Sequence, residues 1–414
     1  MNIAIRYRPF EPANQLAGSS DWSPARVAVI HDIPAAARYW HEIERAGGIY
    51  SPYQRLGWVQ LWHEHVSRPL GQTPCIVVGF DAHGAALFLW PLLRGEFGPF
   101  RVASFFGGKH ATLNFALWRP DAAAAFTAAD MNGVLSEVAR QVPDLDYVML
   151  SNQPARWHSL PNPFLQLPHQ PSTEDNFVLH LGGLAGRQII EREISSTMRS
   201  RLRNKERKLA KLSHYRYSRA VSNEDVERML SAFFAQKAAK LTALGLENVF
   251  AQPGVESFVR AACREGLADG APLIELHAIE GDDEMLAMFS GIHDGRRFTS
   301  AFNSHTASEH ARQSPGLILL QYLIANCADR GFESFDIGPG EARYKTFFCK
   351  ELEPIFDSIL PLSPRGRLLA GPLRAIFAGK SAVKRNPRLW RAASAVRITL
   401  NRLKGCAPAG VDHS

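Results

Sequence analysis

The sequence predicts an α/β (α+β) protein: two tandem mixed sheets flanked by helices, followed by a basic helical tail. Three observations carry this. The order helix, strand, turn, strand, strand, helix, strand runs through the chain twice. Each run contains a strand pair around strong turn residues, Asp81-Ala-His-Gly84 in one and Glu280-Gly-Asp-Asp-Glu284 in the other. From Leu362 to Lys404 there are eleven Lys or Arg and no Asp or Glu, interleaved with apolar residues. A length of 414 residues fits two ordinary domains, with 46% hydrophobic and 21% charged residues. The pattern divides the chain at 1–175, 176–361 and 362–414.

In the first half, Ala36, Tyr39, Trp40 and Ile43 recur at three- and four-residue steps, as do Trp58, Leu61, Trp62 and His65. Both sets predict helices between Pro34 and Val66. Cys75–Phe80 and Ala85–Leu93 form a hairpin around the first turn. The stretch Phe105-Phe-Gly-Gly-Lys-His110 leads to a strand near Leu113. A helix over 122–141 precedes a strand at Tyr147–Leu150, and the Pro- and His-rich 152–175 reads as a linker. The second half has a helix from Val226 to Leu244 and strands at Leu273–Ile279, Met285–His293 and Arg297–Phe302. A helix over 316–329 then feeds a strand at Ser334–Ile337. Between the halves, Met198–Leu212 is a dense basic helix. Its narrow apolar face leaves two readings open, a solvated connector or a wall facing an anionic ligand.

Composition excludes several classes. Five cysteines, Cys75, Cys263, Cys327, Cys349 and Cys406, lie far apart with no CxxC pair, so neither a disulfide framework nor a metal site is expected. The first residues lack an apolar signal core, and no run is long enough to span a membrane. A cytoplasmic protein is expected, able to sit peripherally on the inner face of the membrane. The formal charge of +7 comes from the tail: taking its eleven cations from 47 leaves 36 basic against 40 acidic residues, a net −4. Residues 363–404 therefore read either as helices packed on the body or as a surface for anionic membranes. Few aromatics and no recognition motif speak against specific nucleic-acid binding.

The window Ala301–Phe348 carries the chemistry. Arg312-Gln-Ser-Pro-Gly316 opens an apolar helix. The free N–H groups of a helix start make an anion site, but Ser314 as N-cap with Pro315 behind it is also an ordinary arrangement. A strand then ends in Gly338-Pro-Gly340, followed by Glu341, Tyr344 and Lys345, at the edge where open α/β sheets place ligands.

Together these motifs, with Tyr53-Gln-Arg-Leu-Gly-Trp58, Phe106-Gly-Gly-Lys-His-Ala111 and the basic helix, resemble the GNAT acetyltransferases associated with cellulose and exopolysaccharide synthesis. The resemblance covers roughly 30–360. It implies a duplicated GNAT fold and acetyl-CoA or another acyl-CoA as donor, with Arg312, Gln313, Ser314 and Gly316 at its phosphates. Ile318 stands where the family's phosphate loop has a small residue, so crowding of the cradle is expected there. In such chemistry the acceptor attacks the thioester directly, which requires proximity and proton transfer. Asp336, Glu341 and His293 are the candidate bases. Tyr344 and Lys345 are candidates to protonate the leaving thiolate or hold a phosphate. Lys109 and His110 are candidates to bind an acceptor, a glycan, lipid or other small molecule. The expected activity is acyl transfer to an amine or hydroxyl. Fem-type transfer from aminoacyl-tRNA and a non-catalytic scaffold at a polysaccharide or membrane assembly are the alternatives.

Overall fold

A computed structural model describes residues 6–7, 24–340, 342, 344–385 and 389. The chain divides into two compact units: Tyr7–Asp175 with Glu353–Arg385, and a second unit built on Asn176–Leu352.

In the first unit, the apolar runs of Thr73–Phe80 and Ala86–Phe97 are what strands covered on both faces require. They pair antiparallel, with Val77 opposite Trp90. The sheet runs Gln170–Pro171, Ile355–Pro361, Tyr147–Pro154, Phe100–Phe105, Ala86–Phe97, Thr73–Phe80, Arg26–Ile30, with Leu117–Trp118 added onto Ala86–Phe97. Its parallel neighbours are Phe100–Phe105 and Tyr147–Pro154. The helical connection between them is two helices, Pro120–Ala125 and Ala128–Gln141, rather than the single one expected. Phe126 turns into the core, and Thr127 starts the second helix with a capping box to Asp130.

The second unit repeats this plan. Its sheet runs Arg6–Tyr7, Glu351–Glu353, Asn176–His180, Ser334–Pro339, Arg297–His305, Glu284–His293, Glu275–Gly281, Arg216–Arg219. Arg297–His305 and Ser334–Pro339 are parallel, joined by the helix Pro315–Asp329. Ile318, Leu319, Leu323 and Cys327 of that helix pack on Phe298, Phe335 and Ile337. Cys75, Cys263, Cys327 and Cys349 are buried free thiols.

The C-terminal boundary differs from the one read in the sequence. Ile355–Pro361, assigned there to the second half, pairs with Tyr147–Pro154 in the first unit's sheet, and Ile355, Phe356 and Leu360 enter that core. Its apolar pattern suits either sheet; only long-range pairing selects one. The helix Pro364–Arg385 packs Ala370 and Leu373 against Val102, Tyr147 and Ile359, the first of the two readings left open for the tail. The Tyr147 hydroxyl donates to Gly366 O at 2.9 Å. Here glycine is required, since a Cβ would lie 2.4 Å from Asp146 O. The rest of the predicted tail, 386–388 and 390–414, lies outside the described residues. Among the described residues no helix is long and apolar enough to cross a membrane.

Candidate active site

The parallel pairing in the second unit lasts only three residues: Arg297 with Ser334, Phe298 with Phe335, Thr299 with Asp336. Beyond that point the strands part. Each keeps its outer neighbour: Arg297–His305 stays on Glu284–His293 as far as His305, and Ser334–Pro339 stays on Asn176–His180 as far as Pro339. The inner edges are therefore left facing an opening. A bulge shapes it. Between the pairs Phe289–Asn303 and Gly291–Ser300, two residues oppose Ser290 alone. The Ser290 hydroxyl takes over both backbone groups of Phe302, donating at 2.8 Å and accepting at 2.9 Å.

A buried ion pair fixes the vertex. Arg297 Nε and Nη2 donate to Asp336 at 2.7 and 2.9 Å, Thr299 Oγ1 at 3.0 Å and Asn176 Nδ2 at 3.2 Å. Asp336 is fully buried, with both carboxylate oxygens engaged, so it is a structural anchor and not the free base expected. It also faces away from the helix Pro315–Asp329, because its neighbours Phe335 and Ile337 are the residues that pack there. The predicted grouping of Asp336 with Gly316 does not form.

At the mouth lies the start of that helix. Ser314 holds the N-cap position, as expected, but with a φ of 55° and no side-chain capping bond. Its hydroxyl instead accepts from Lys205 Nζ at 2.7 Å, and the same ammonium donates to Arg312 O at 2.9 Å. The basic helix, observed at Ser196–Leu209, is thus tied to the helix start. Gly316 lies in the first turn, where an N–H has no carbonyl one turn back within the helix. A Cβ there would meet only the His305 Cβ at 4.0 Å, so the approach to its backbone is open. Ile318 is buried in the core and does not crowd it, contrary to expectation. Gln313 ends the short turn Glu309–Gln313, and Arg312 is exposed, 2.9 Å from Glu309.

Further cations gather nearby. Lys237 Nζ donates to Asn303 O at 3.2 Å, and Lys240 Nζ lies 3.2 Å from His305 Nε2. Burial lowers the pKa of Lys237, with Lys240 adding to it; burial likewise lowers Lys205, with Arg201 and Lys208 adding. Crowded, partly desolvated ammonium groups of this kind gain from a nearby anion. Nothing in the local sequence marks Lys237, Lys240 or His305. Only the i, i+3 spacing of the two lysines hints at a shared helix face.

Inside the opening, Ser300 is the first residue past the last parallel pair. Its hydroxyl is buried and has no hydrogen-bond partner among the described residues. Tyr344 reaches back to the Asn303 side chain. Burial raises the pKa of its hydroxyl, and the bond to Asn303 only partly offsets this, so the phenol stays protonated. Lys345, expected near phosphate or thiolate, is instead a buried clasp, its Nζ donating to Gly338 O at 3.0 Å and Pro339 O at 2.8 Å. Glu341 lies outside the described residues. His293 sits beside Phe298, at the end of the sheet away from the opening, and contacts the buried Glu275 at 2.9 Å. It belongs to a structural cluster, not to the opening. Lys109 and His110 lie in the first unit, in the short turn Gly108–His110, where the His110 ring packs 5.7 Å from Trp62.

Residues 196–346 match the acetyltransferase (GNAT) domain family. No curated protein sequence matches the chain. Among solved structures, the chain is similar to FemX, with a TM-score of 0.54 and 10% identity over 83% of this chain and 99% of that one. It is also similar to the C-terminal domain of a putative lysylphosphatidylglycerol synthetase from Agrobacterium fabrum, at TM-score 0.46 and 10% identity over 78% and 92%. A tandem GNAT protein from the clavulanic acid biosynthesis pathway matches at TM-score 0.43 and 8% identity over 82% and 99%. Such identities speak to fold alone. The parted parallel strands and the helix start at their mouth both lie within residues 196–346, the stretch that is similar to the acetyltransferase (GNAT) domain family.

Proposed function

We propose that the chain is an acyltransferase that moves an acetyl or other acyl group from acyl-CoA to an amine or hydroxyl of a sugar, polysaccharide precursor or lipid. The observation that carries this is the open helix start at Gly316, with Lys205 bonded to the adjacent Ser314 and Lys240 beside His305, whose Cβ is the atom nearest the glycine's open side. Phosphates of a donor fit these cations and the first-turn N–H groups. The acyl arm would then run between the parted strands Arg297–His305 and Ser334–Pro339, past the Ser300 hydroxyl. The acceptor's nitrogen or oxygen bonds to the acyl carbon and gives up its proton as the C–S bond breaks, and the leaving thiolate takes up a proton. Tyr344, whose buried phenol stays protonated, is the group assigned to that donation.

A second reading is supported by the basic helix. Arg201, Arg203, Arg207 and Lys208 have no ion-pair partner among the described residues, and Arg201 and Lys208 line a groove of about 610 Å³. Such a surface also suits the backbone of aminoacyl-tRNA. Calorimetric titration with acetyl-CoA separates the two. Gly316→Leu leaves the fold room but fills the approach, so affinity should drop about tenfold or more, the loss of one or two charge-assisted contacts, with little change in melting temperature. If neither protein binds any acyl-CoA and acyl transfer requires charged tRNA, the aminoacyl reading replaces the first.

A further inference from the structure

The helix Pro364–Arg385 has two apolar faces, and among the described residues only one is covered. Gly366, Ala370, Leu373 and Ser381 are buried against the first unit's sheet. Leu368, Pro372 and Ile376, one turn apart from each other, lie in a separate row. Leu368 is 80% exposed and Ile376 54%. Leu369 flanks the row, and the ring of Phe97, also exposed, lies tilted 6.0 Å from that of Phe377 of the same helix. Lone exposed apolar residues need no explanation, but a row of them along one helix does.

Charge identifies what would cover it. Arg365 and Arg367 are exposed at the start of the helix, with Arg365 reaching Pro99 O at 2.9 Å beside the Phe97 turn. The sequence continues to Lys404 without an acidic residue. A second copy of the chain docked by two-fold symmetry would bring this acid-free face against itself, and its cations would repel. Nucleic acid has no use for a row of aliphatic side chains, since it recognises aromatic planes. An anionic lipid surface accepts both features, taking the aliphatic row at the acyl boundary and the cations at the headgroups.

We propose that Pro364–Arg385 docks the first unit on anionic membranes through Leu368, Leu369 and Ile376, with Arg365 and Arg367 at the headgroups. The site is independent of the acyl-transfer reading. The test is flotation of the full chain with vesicles of phosphatidylglycerol and phosphatidylcholine, or of phosphatidylcholine alone. Binding is expected only to the anionic vesicles, and raising salt from about 0.1 to about 0.5 M should reduce it severalfold, as screening predicts. The double variant L368S/I376S removes exposed groups only. It should keep its melting temperature and bind about tenfold or more weakly, given the apolar surface lost. R367E should weaken binding in the same direction. Equal binding to neutral vesicles would overturn the proposal. So would unchanged binding of the double variant, binding to duplex DNA in place of vesicles, or a dimer that the double variant abolishes.

Discussion

Asp336 shows how one residue can be conspicuous for the wrong reason. A carboxylate alternating with Phe335 and Ile337 in an apolar strand stands out in the sequence, and a site role is one explanation. The other is a buried partner, and Arg297, 39 residues away, supplies it. Breaking a buried pair leaves the remaining charge without compensation, at a cost of about 3–5 kcal/mol. Asp336→Asn should therefore lower the melting temperature by roughly 10 °C, given about 2–4 °C per kcal/mol for a unit of this size. Calorimetry of the variant, beside its turnover at a temperature where it remains folded, checks this. An unchanged melting temperature with lost turnover would return Asp336 to the role of base. Tyr344 was legible as a candidate from its place after a strand end. Asn303, Ser300 and Lys237 were not, because only the parting of two strands gives them a common opening.

At the scale of elements, the helix start at Pro315 could be read directly from Ser-Pro-Gly, but the function of Ser314 could not, since Lys205 lies 109 residues away. The same holds for the buried cluster that ties Glu275–Gly281 and Glu284–His293 to the end of the helix Pro315–Asp329. Burial alone would raise the Glu275 pKa. Bonds from His277 at 3.2 Å, His293 at 2.9 Å and Arg330 at 2.7 Å outweigh it and hold the carboxyl well below the usual range. Burial lowers His277, while Glu275 pulls the other way. A neutral imidazole fits both contacts, its Nε2–H donating to Glu275 and its Nδ1 accepting from the Tyr217 hydroxyl at 2.8 Å. Both groups titrate lower in the folded than in the unfolded chain, so the unfolded chain takes up more protons as pH falls. Stability is full above the ordinary histidine value of 6.5 and declines below it, with Glu275 adding to the loss below 4.5. The melting temperature should fall between pH 7.5 and 5.5, and His277→Gln should flatten that slope. Parallel slopes in the two proteins would show that folding leaves the titration of His277 unchanged, against this reading.

At the scale of the whole molecule, the chain returns a strand to the unit it left. Ile355–Pro361 follows the second unit but lies beside Tyr147–Pro154 of the first. The repeated order of elements was legible because each element is local. The sheet that Ile355–Pro361 joins was not, because its apolar pattern suits either core. A chain ending at Asp175 lacks Ile355, Phe356 and Leu360 from its core and the strand partner of Tyr147–Pro154. It should lose its near-ultraviolet circular dichroism and aggregate, and co-expression with residues 353–385 should restore both signal and solubility. A soluble, cooperatively melting 1–175 fragment would contradict this.

This returning strand also sets the timetable of synthesis. All of Asn176–Leu352, the bulk of the second unit, is in the nascent chain before the first unit receives Ile355–Pro361. The unit made first must therefore be finished last, against the usual N-terminal-first order. At about 5–20 residues per second, the interval between Asp175 and Pro361 is roughly 10–40 s. Throughout it, the edge of Tyr147–Pro154 stands open to whatever strand arrives, including the Ile355–Pro361 of a neighbouring chain on the same messenger.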